Sequence, residues 1–329
     1  MGIVGDTVLV TGATGFLGGH LIRHLARTGV NVIAMGRDAE KCAALRAQGY
    51  QTICHDLSTA VPLNDSLEQV NAVVHCAALS AASGPRRAFE MANVVATRNI
   101  VSLAQRLGVY RFVHISSPTV YFKMADALSV REDMVLPKPI NAYAETKQMA
   151  ERIVAGAPDI DPIILRPRGI YGPGDTTLLP TLLRAAKRPL PLLRKGEARI
   201  DLTYVDDVIA AIVAALAAGP DANGQPFNIS GGEVLAVRDI VERTCRAYGT
   251  TATWRTVPLA PALALARVLE LTASALPHLP QPAITRYSIG LFAYAQSLDI
   301  SKAHRLLGWQ PEVPFDEGLR RTRAAVQPL

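Results

Sequence analysis

Residues 7–18 read TVLVTGATGFLG, a mostly apolar run that ends at three glycines spaced three apart. The run predicts a buried strand, and residues 16–28 predict a helix that begins at the turn. Gly12 permits the turn, Gly15 lets a phosphate approach the backbone, and Gly18 lets helix and strand pack closely. The unpaired amides at the helix N-terminus favour a pyrophosphate. The stretch therefore predicts a dinucleotide site formed by Gly12, Thr14, Gly15, Phe16, Leu17 and Gly18.

Short apolar runs alternate with amphipathic stretches through the first half of the chain. Strands are predicted over 7–11, 31–35, 51–54, 72–76, 111–116 and 161–165. Helices are predicted near 16–28, 39–48, 86–107 and 141–156. This alternation predicts an α/β fold, a doubly wound parallel sheet with helices on both faces.

Two later motifs and the glycine spacing together carry a resemblance to a known superfamily. The chain has His114-Ile-Ser-Ser117-Pro-Thr-Val-Tyr121 and then Tyr143-Ala-Glu-Thr-Lys147. With the glycine turn, these motifs resemble the extended branch of the short-chain dehydrogenases/reductases. That branch includes nucleotide-sugar epimerases and dehydratases and the 3β-hydroxysteroid-dehydrogenase-like enzymes. The resemblance continues almost end to end and includes the closing stretch 298–309, which the whole branch shares.

The sequence changes character after Arg166, because prolines and glycines are frequent in 167–196 and strict alternation stops. We expect an NAD(P)-binding Rossmann domain over residues 1–166. The resemblance implies a smaller substrate-binding lobe over 167–329. It also implies that segments near 204–218 and 226–229 return to the Rossmann domain.

Tyr143 and Lys147 are four residues apart on a predicted helix for which Asn141 is a good N-cap, so they share one face. A neighbouring ammonium is expected to lower the pKa of a phenol, which is ordinarily about 10. The resemblance implies that Ser117, Tyr143 and Lys147 are catalytic. In that family the tyrosine moves a proton, the serine bonds the reacting oxygen, and the lysine also holds the nicotinamide ribose. Ser116 is expected to support the strand or the nicotinamide side.

The end of the second strand decides the cofactor. Gly36 stands where an acid would bind the ribose 2′-hydroxyl, and Arg37 follows it, which favours NADP(H). The alternative is that Asp38 makes the ribose contact, so NAD(H) stays possible. The resemblance implies further cofactor contacts from Tyr143 and Lys147 and from Asp56, Leu57, Cys76, Ala77, Ala78, Asn93, Pro167 and Gly169.

The substrate is predicted to contact Ser80, Thr119, Phe122 and Tyr171. Phe122 replaces the glycine usual in the family, and residues 258–294 form a largely apolar insertion. Both features favour a lipophilic substrate, although the insertion is equally consistent with an amphipathic helix packed on the lobe. Five basic residues instead offer either a clamp for a nucleotide diphosphate or a solvated face: Arg184, Arg188, Arg194, Lys195 and Arg199.

The leading interpretation is an NAD(P)(H)-dependent oxidoreductase of a secondary alcohol or ketone, 3β-hydroxysteroid-dehydrogenase-like, acting on a steroid or a β-keto or β-hydroxy lipid. One alternative is a nucleotide-sugar epimerase or dehydratase. A second is a non-catalytic NADP(H)-sensing protein, although such members usually lose the tyrosine or the lysine.

Composition limits the other classes. The chain has 329 residues, of which 49% are hydrophobic and 19% charged, as in a globular protein with a large core. The net charge is +6 and only 5% of residues are aromatic, so nucleic-acid binding is not expected. No apolar run spans a bilayer, the N-terminus lacks a signal pattern, and the four cysteines are scattered, so a cytoplasmic protein is expected.

Two further expectations concern metals and assembly. His20 and His24 have metal-ligand spacing but no third ligand nearby, so no metal site is predicted. The resemblance implies a homodimer that pairs the helices near 86–107 and 141–156. Their apolar positions exceed what one inner face requires and include Met91, Val94, Val95, Met149 and Ile153.

Overall fold

The structure is a computed structural model that describes residues 3, 5–63, 65–81, 83–275, 282 and 284–325. Its strands are β1 (Thr7–Thr11), β2 (Asn31–Gly36), β3 (Gln51–Cys54), β4 (Ala72–His75), β5 (Arg111–Ile115), β6 (Ala127–Val130), β7 (Pro162–Pro167), β8 (Ile170–Tyr171), β9 (Leu190–Leu192), β10 (Arg199–Ile200), β11 (Thr203–Tyr204), β12 (Pro226–Ile229), β13 (Leu235–Ala236), β14 (Trp254–Thr256) and β15 (Gln296–Leu298).

Its α-helices are α1 (Phe16–Arg27), α2 (Ala39–Ala47), α3 (Arg86–Phe89), α4 (Ala96–Leu107), α5 (Ala142–Ala155), α6 (Leu178–Ala185), α7 (Val205–Leu216), α8 (Val237–Ala247), α9 (Leu259–Ala275), α10 (Arg286–Ala293), α11 (Ser301–Leu307) and α12 (Phe315–Ala324). A π-helical turn over Glu90–Val95 joins α3 to α4. A 3-10 turn over Pro118–Tyr121 follows β5.

A parallel sheet of seven strands forms the centre of the molecule, in the order β12-β7-β5-β4-β1-β2-β3. Alternate residues of each strand supply two apolar cores. Val8 and Val10 of β1 pack with α1 and α7 on one face, whereas Leu9 packs on the other face with Ile100 of α4 and Val154 of α5. The predicted doubly wound sheet is therefore confirmed.

The strand order places the dinucleotide region. The chain leaves β1 toward β2 and β3 on one side and returns to β4 on the other. Ligands bind at the carboxyl ends of the strands where the order reverses in this way. That point lies between β1 and β4, directly at the glycine turn that follows Thr11.

One predicted helix differs in the structure. Residues 86–107 form α3, the π turn and α4 rather than one continuous helix. The extra residue of a π turn shifts the helix face. Asn93, inside the turn, bonds outward to Leu79 and to Thr146 of α5. The helix is therefore interrupted at the residue whose side chain holds the loop after β4 and contacts α5.

The second half of the chain forms smaller sheets and several helices. A four-stranded sheet has the order β13-β10-β15-β6, and the parallel pairs β8–β11 and β9–β14 lie beside it. Helix α7 packs on α1, and β12 pairs with β7 at the edge of the large sheet. The division of the chain near residue 166 stays a prediction. In the described ranges, no helix is long and apolar enough to cross a bilayer.

Candidate active site

The glycine turn has the close approaches that its spacing predicts. Gly12 has a φ of +68°, and a Cβ there would lie 2.8 Å from the backbone nitrogen of Ala77. A Cβ on Gly18 would lie 2.7 Å from the carbonyl carbon of Gly12. Gly15 is the N-cap of α1 without a side-chain cap, and no acid lies in the first turn. The helix N-terminus is therefore open to an anion.

The end of β2 excludes a side chain at Gly36. A Cβ there would lie 2.6 Å from Cγ2 of Thr14 and 3.3 Å from Sγ of Cys42. The carboxylate of Asp38 accepts a hydrogen bond of 3.1 Å from the backbone amide of Lys41 and caps α2. Arg37, Asp38 and Lys41 all line the cavity at this end of the site, so two cations and one acid face it.

A cavity of about 350 Å³ lies along the carboxyl ends of β1 to β4. Nine residues predicted to bind the cofactor line it: Gly12, Thr14, Gly15, Arg37, Asp56, Leu57, Cys76, Ala77 and Ala78. Lys41 also lines the cavity, and it was not predicted. Its place one turn into α2 was the available signal. The cavity and the open helix end fit a dinucleotide.

The other predicted cofactor residues support this wall or lie beside it. Asn93 holds the loop after β4, because its side chain accepts from the amide of Leu79 at 2.7 Å and donates to Thr146 Oγ1 at 3.0 Å. Phe16 packs edge-on against His20, and Leu17 is buried. Pro167 ends β7, and Gly169 has a φ of +49° with no room for a Cβ beside Leu202. Nicotinamide contacts of Pro167 and Gly169 stay predictions.

Ser117 begins the 3-10 turn that follows β5. Its Oγ accepts a hydrogen bond of 3.2 Å from the amide of Thr119, and the two side-chain oxygens lie 2.8 Å apart. Pro118 suits the first position of such a turn because its φ is fixed. The buried Ser116 donates to Glu151, farther along α5 than Tyr143. It therefore supports the strand, one of its two expected roles.

Asn141 caps α5 as predicted, with its side chain accepting from the amide of Ala144 at 2.9 Å. Tyr143 and Lys147 project from one face of that helix toward the end of β5. Burial raises the pKa of Tyr143, and hydrogen bonds with Ser117 and Ser80 lower it. The predicted lowering of this pKa by the ammonium is not what the structure has, because Nζ of Lys147 donates 2.7 Å to the carbonyl of Ile115.

Lys147 is 3% exposed, and burial lowers its pKa to about 8, against the opposing effect of Glu151. Two buried histidines lie in the adjacent strands, with His75 stacked on His114 at 5.4 Å between ring centroids. Burial lowers the pKa of His75 to about 3, and the pKa of His114 well below its usual range. Both rings are therefore neutral at pH 7, and Lys147 carries the positive charge of this region.

A buried ion pair behind Lys147 was not predicted. The carboxylate of Glu151 accepts two hydrogen bonds, of 2.8 and 2.6 Å, from the guanidinium of Arg166 on β7. Arg166 also donates to the hydroxyl of Tyr121, which donates to Asn228 at 3.0 Å. Glu151 follows Lys147 by four residues, so this spacing on α5 was the available signal.

A second cavity, of about 430 Å³, opens beside Tyr143. It lies between the start of α5, the start of α3 and the α9–α10 hairpin. Its lining combines apolar and polar groups: Ser83, Gly84, Pro85, Arg86, Phe89, Ile140, Asn141, Ala142, Tyr143, Glu270, Ala273, Pro282, Thr285 and Tyr287. The apolar insertion over 258–294 therefore supplies one wall of this cavity, and residues 276–281 and 283 of it lie outside the described residues.

The structure brings only some of the predicted substrate residues to this place. Ser80 is hydrogen-bonded to Tyr143, and Thr119 to Ser117. Phe122 is buried against Tyr287, with 5.0 Å between ring centroids, rather than open at a mouth. Tyr171 is not among the described residues that line this cavity: its buried ring packs on Tyr204, and its hydroxyl donates 3.2 Å to the carbonyl of Phe315. Its substrate contact stays a prediction.

Comparison with known proteins agrees with this geometry. Residues 8–230 match the NAD dependent epimerase/dehydratase family. The chain belongs to this family. It is therefore an NAD(P)-dependent oxidoreductase of the extended short-chain dehydrogenase/reductase type, and its relatives include enzymes of the 3β-hydroxysteroid-dehydrogenase-like branch.

Three relatives cover almost the whole chain. The 2-alkyl-3-oxoalkanoate reductase of Stenotrophomonas maltophilia is 32% identical over 97% of this chain and 98% of the relative. The mouse sterol-4-alpha-carboxylate 3-dehydrogenase, decarboxylating, is 31% identical over 95% and 89%. The solved structure of DesIV, a dTDP-glucose 4,6-dehydratase from Streptomyces venezuelae with NAD bound, has a TM-score of 0.75 at 26% identity, covering 97% of this chain and 96% of that one.

The lowered pKa of the buried Lys147 makes the stability of the folded chain depend on pH. Its pKa is about 8 in the folded chain against an ordinary value of 10.5. Between these two pH values the unfolded chain binds more protons, so the stability contribution rises as pH increases through the interval. Below pH 8 the buried ammonium costs roughly 3 kcal/mol, since one pKa unit corresponds to about 1.4 kcal/mol.

We therefore expect Lys147→Met to raise the melting temperature of the free protein at pH 7, by roughly 5 °C. Differential scanning fluorimetry across pH 7 to 10.5 should show the gap closing as the pH rises, because the ammonium is lost from the folded wild type first. Lys187→Met, at an exposed lysine, is the control and should change little. A gap that does not depend on pH would contradict burial of the ammonium as its cause.

Proposed function

We propose that the chain is an NADP(H)-dependent reductase of a lipophilic ketone, in the class of β-keto or β-hydroxy carboxylic lipids or sterols. The observation that carries the proposal is the cavity beside Tyr143, which an apolar insertion covers. Two of the relatives support the class, since one is named for 2-alkyl-3-oxoalkanoates and the other for sterol 4-carboxylates.

The proposed roles follow from the contacts of each group. The dinucleotide, when bound, supplies or accepts the hydride. Tyr143 gives its proton to the reacting oxygen, and Ser117 donates a hydrogen bond to the same oxygen. Lys147 holds the ribose of the dinucleotide and keeps a positive charge beside the reaction. Glu151 and Arg166 keep α5 against the sheet so that these groups stay together.

The cavity lining supports an apolar substrate. Phe89 lies with its ring centroid 6.3 Å from that of Tyr143, and Ile140, Ala273 and Pro282 continue the apolar surface. Burial of apolar ligand surface contributes about 25 cal/mol for each Å². A lipid chain can therefore gain affinity here with few directional hydrogen bonds.

The basic residues offered for a nucleotide diphosphate are engaged elsewhere or lie apart from this lining. Arg194 pairs with both carboxylate oxygens of Asp126 at 2.8 Å. Arg184 bonds to Pro180 and Thr181 of its own helix. Among the described residues, the lining of the cavity beside Tyr143 includes none of the five. This arrangement favours the lipid substrate over a nucleotide sugar.

The direct test is an oxidation assay with NADP⁺ and a 2-alkyl-3-hydroxyalkanoate, a sterol 3-alcohol or a UDP-sugar, followed at 340 nm. We expect net cofactor reduction with one of the lipids and none with the sugar. Tyr143→Phe should lower kcat at least 100-fold and change the dinucleotide Kd less than threefold, since it removes the proton donor alone.

Tyr110→Phe is the matched control. The Tyr110 hydroxyl bonds to Asp6 at 2.6 Å, and both residues precede their strands, at the amino-terminal edge of the sheet opposite the site. The control should retain the wild-type rate. Conversion of a UDP-sugar with no net change in the cofactor would overturn the proposal in favour of an epimerase or dehydratase.

We also propose a preference for NADP(H) over NAD(H). Gly36 leaves no room for an acid side chain, and one carboxylate oxygen of Asp38 is used to cap α2. Arg37 and Lys41 line the cavity at the adenosine end together with Asp38, so the cations outnumber the acid there. A guanidinium and an ammonium suit a 2′-phosphate.

We expect NADPH to bind at least tenfold more tightly than NADH at low salt, because a charge-assisted hydrogen bond contributes about 1.5–3 kcal/mol. Fluorescence titration measures both Kd values. Arg37→Ala should remove most of the difference, while Arg46→Ala, at an exposed arginine farther along α2, should not. Equal affinities in the wild type would contradict the preference.

We propose, finally, that two copies pair through the π turn and α5. Met91 is 37% exposed, and Val95, Met149 and Ile153 are half-buried in one chain, while Val94 is buried within it. Apolar side chains left partly open on adjacent helices favour a symmetric interface.

Sedimentation velocity at micromolar concentration should therefore report a dimer. Adding a charge with Met149→Arg should give a monomer, because a charge at such an interface is unpaired. Val135→Glu, at an exposed apolar residue elsewhere, is the control and should leave the dimer intact. A wild-type monomer would exclude this assembly.

A further inference from the structure

A row of hydroxyl groups connects the α9–α10 hairpin to the catalytic turn. The Tyr287 hydroxyl lies 3.5 Å from Oγ1 of Thr119, and Oγ1 lies 2.8 Å from Oγ of Ser117. Ser117 lies close enough to Tyr143 for its side chain to lower the pKa of that phenol. The row joins residues 168 positions apart in sequence, and its first member comes from the wall of the substrate cavity.

Counting protons gives the row a preferred direction. Each hydroxyl has one proton and two lone pairs. The amide of Thr119 already fills one lone pair of Ser117. If Oγ1 of Thr119 fills the other, the proton of Ser117 is left to donate to Tyr143 or to a reacting oxygen. In the opposite direction Ser117 gives its proton to Thr119 and has none for the reaction.

Tyr287 stands at the end of the row, where the direction is decided. When its hydroxyl donates to Thr119, the proton of Thr119 is left for Ser117. We propose that Tyr287 is a positioning residue that sets this direction and so keeps the Ser117 hydroxyl a donor toward the catalytic tyrosine and the reacting oxygen. Burial raises the pKa of Tyr287, so the group remains protonated at neutral pH.

The position of Tyr287 is fixed by contacts other than the hydroxyl row. Thr285 and Ser288 form a capping box at the start of α10. Glu270 of α9 accepts from the amide of Arg286 at 2.7 Å and from its side-chain Nε at 2.6 Å. The Tyr287 ring packs edge-on against Phe122. Removal of the hydroxyl alone therefore leaves the hairpin in place.

The inference rests on the proposed reductase reaction, and the test keeps the two apart. With the lipid substrate that the wild type uses, Tyr287→Phe should lower kcat about tenfold, less than the 100- to 1,000-fold loss typical when an oxyanion donor is removed. KM and the dinucleotide Kd should change less than twofold. Tyr294→Phe, at the other end of α10, is the matched control and should keep the wild-type kcat.

A double-mutant cycle distinguishes positioning from a general packing effect. Thr119→Val cuts the row between Tyr287 and Ser117. In that background Tyr287→Phe should have no further effect on kcat, because its influence passes through Thr119. If each substitution lowers kcat by its own factor and the double variant shows the product of the two factors, the proposal is overturned.

A further measurement does not need turnover. Titration of phenolate absorbance, taken as the difference from the corresponding Tyr143→Phe protein, gives the pKa of Tyr143. The Ser117 hydrogen bond lowers this pKa, whereas the nearby Tyr287 group raises it. Tyr287→Phe should therefore raise the pKa of Tyr143 if the row is lost. A fall or no change overturns the inference, whatever the fate of the reductase proposal.

Discussion

The buried pair of Glu151 and Arg166 anchors the helix that holds Tyr143 and Lys147. It ties α5 to β7, and Ser116, which directly follows β5, adds a bond to the same carboxylate. Lys147 and Tyr143 lie one and two turns earlier on that helix, so their distances from Ser117 depend on this anchor. Loss of one partner from such a pair leaves an unpaired buried charge, at a cost of about 3–5 kcal/mol. A shift of α5 is thereby opposed.

The sequence predicts the structure best where the backbone geometry allows only one residue type, glycine. Gly12 and Gly18 each face backbone atoms at distances that exclude a Cβ, so the turn is predictable from the spacing alone. The same holds for the alternation of β1, which separates Val8 and Leu9 into different cores. Most strands and helices of the first half were therefore predictable. The exceptions are the short strand β6, which was not predicted, and the π turn at Asn93, which depends on side-chain contacts with Leu79 and Thr146.

Contacts between distant segments were not predictable in this way. Tyr171 was expected to contact the substrate, yet its ring lies against Phe315, which is 144 residues away. Phe122 was expected either near the mouth of the site or packed on the following loop. It packs instead on α10, where Gly290 leaves space for it, since a Cβ there would lie 2.6 Å from its Cζ. Such pairings depend on how the second half of the chain folds back. Its short strands and single helices give weak local signals.

Burial and the neighbouring polar groups have opposite effects on the pKa values of Tyr143 and Lys147. Burial disfavours ionisation of both Tyr143 and Lys147, so it keeps the phenol protonated but opposes the charge of the ammonium. Hydroxyl donors offset this for the tyrosine, and the Ile115 carbonyl and Glu151 offset it for the lysine. The protein therefore holds a buried cation next to a half-buried phenol through oriented dipoles. Burial strengthens the electrostatic effect of such dipoles, so the burial that is costly for folding also increases the effect of the Ile115 carbonyl on the ammonium.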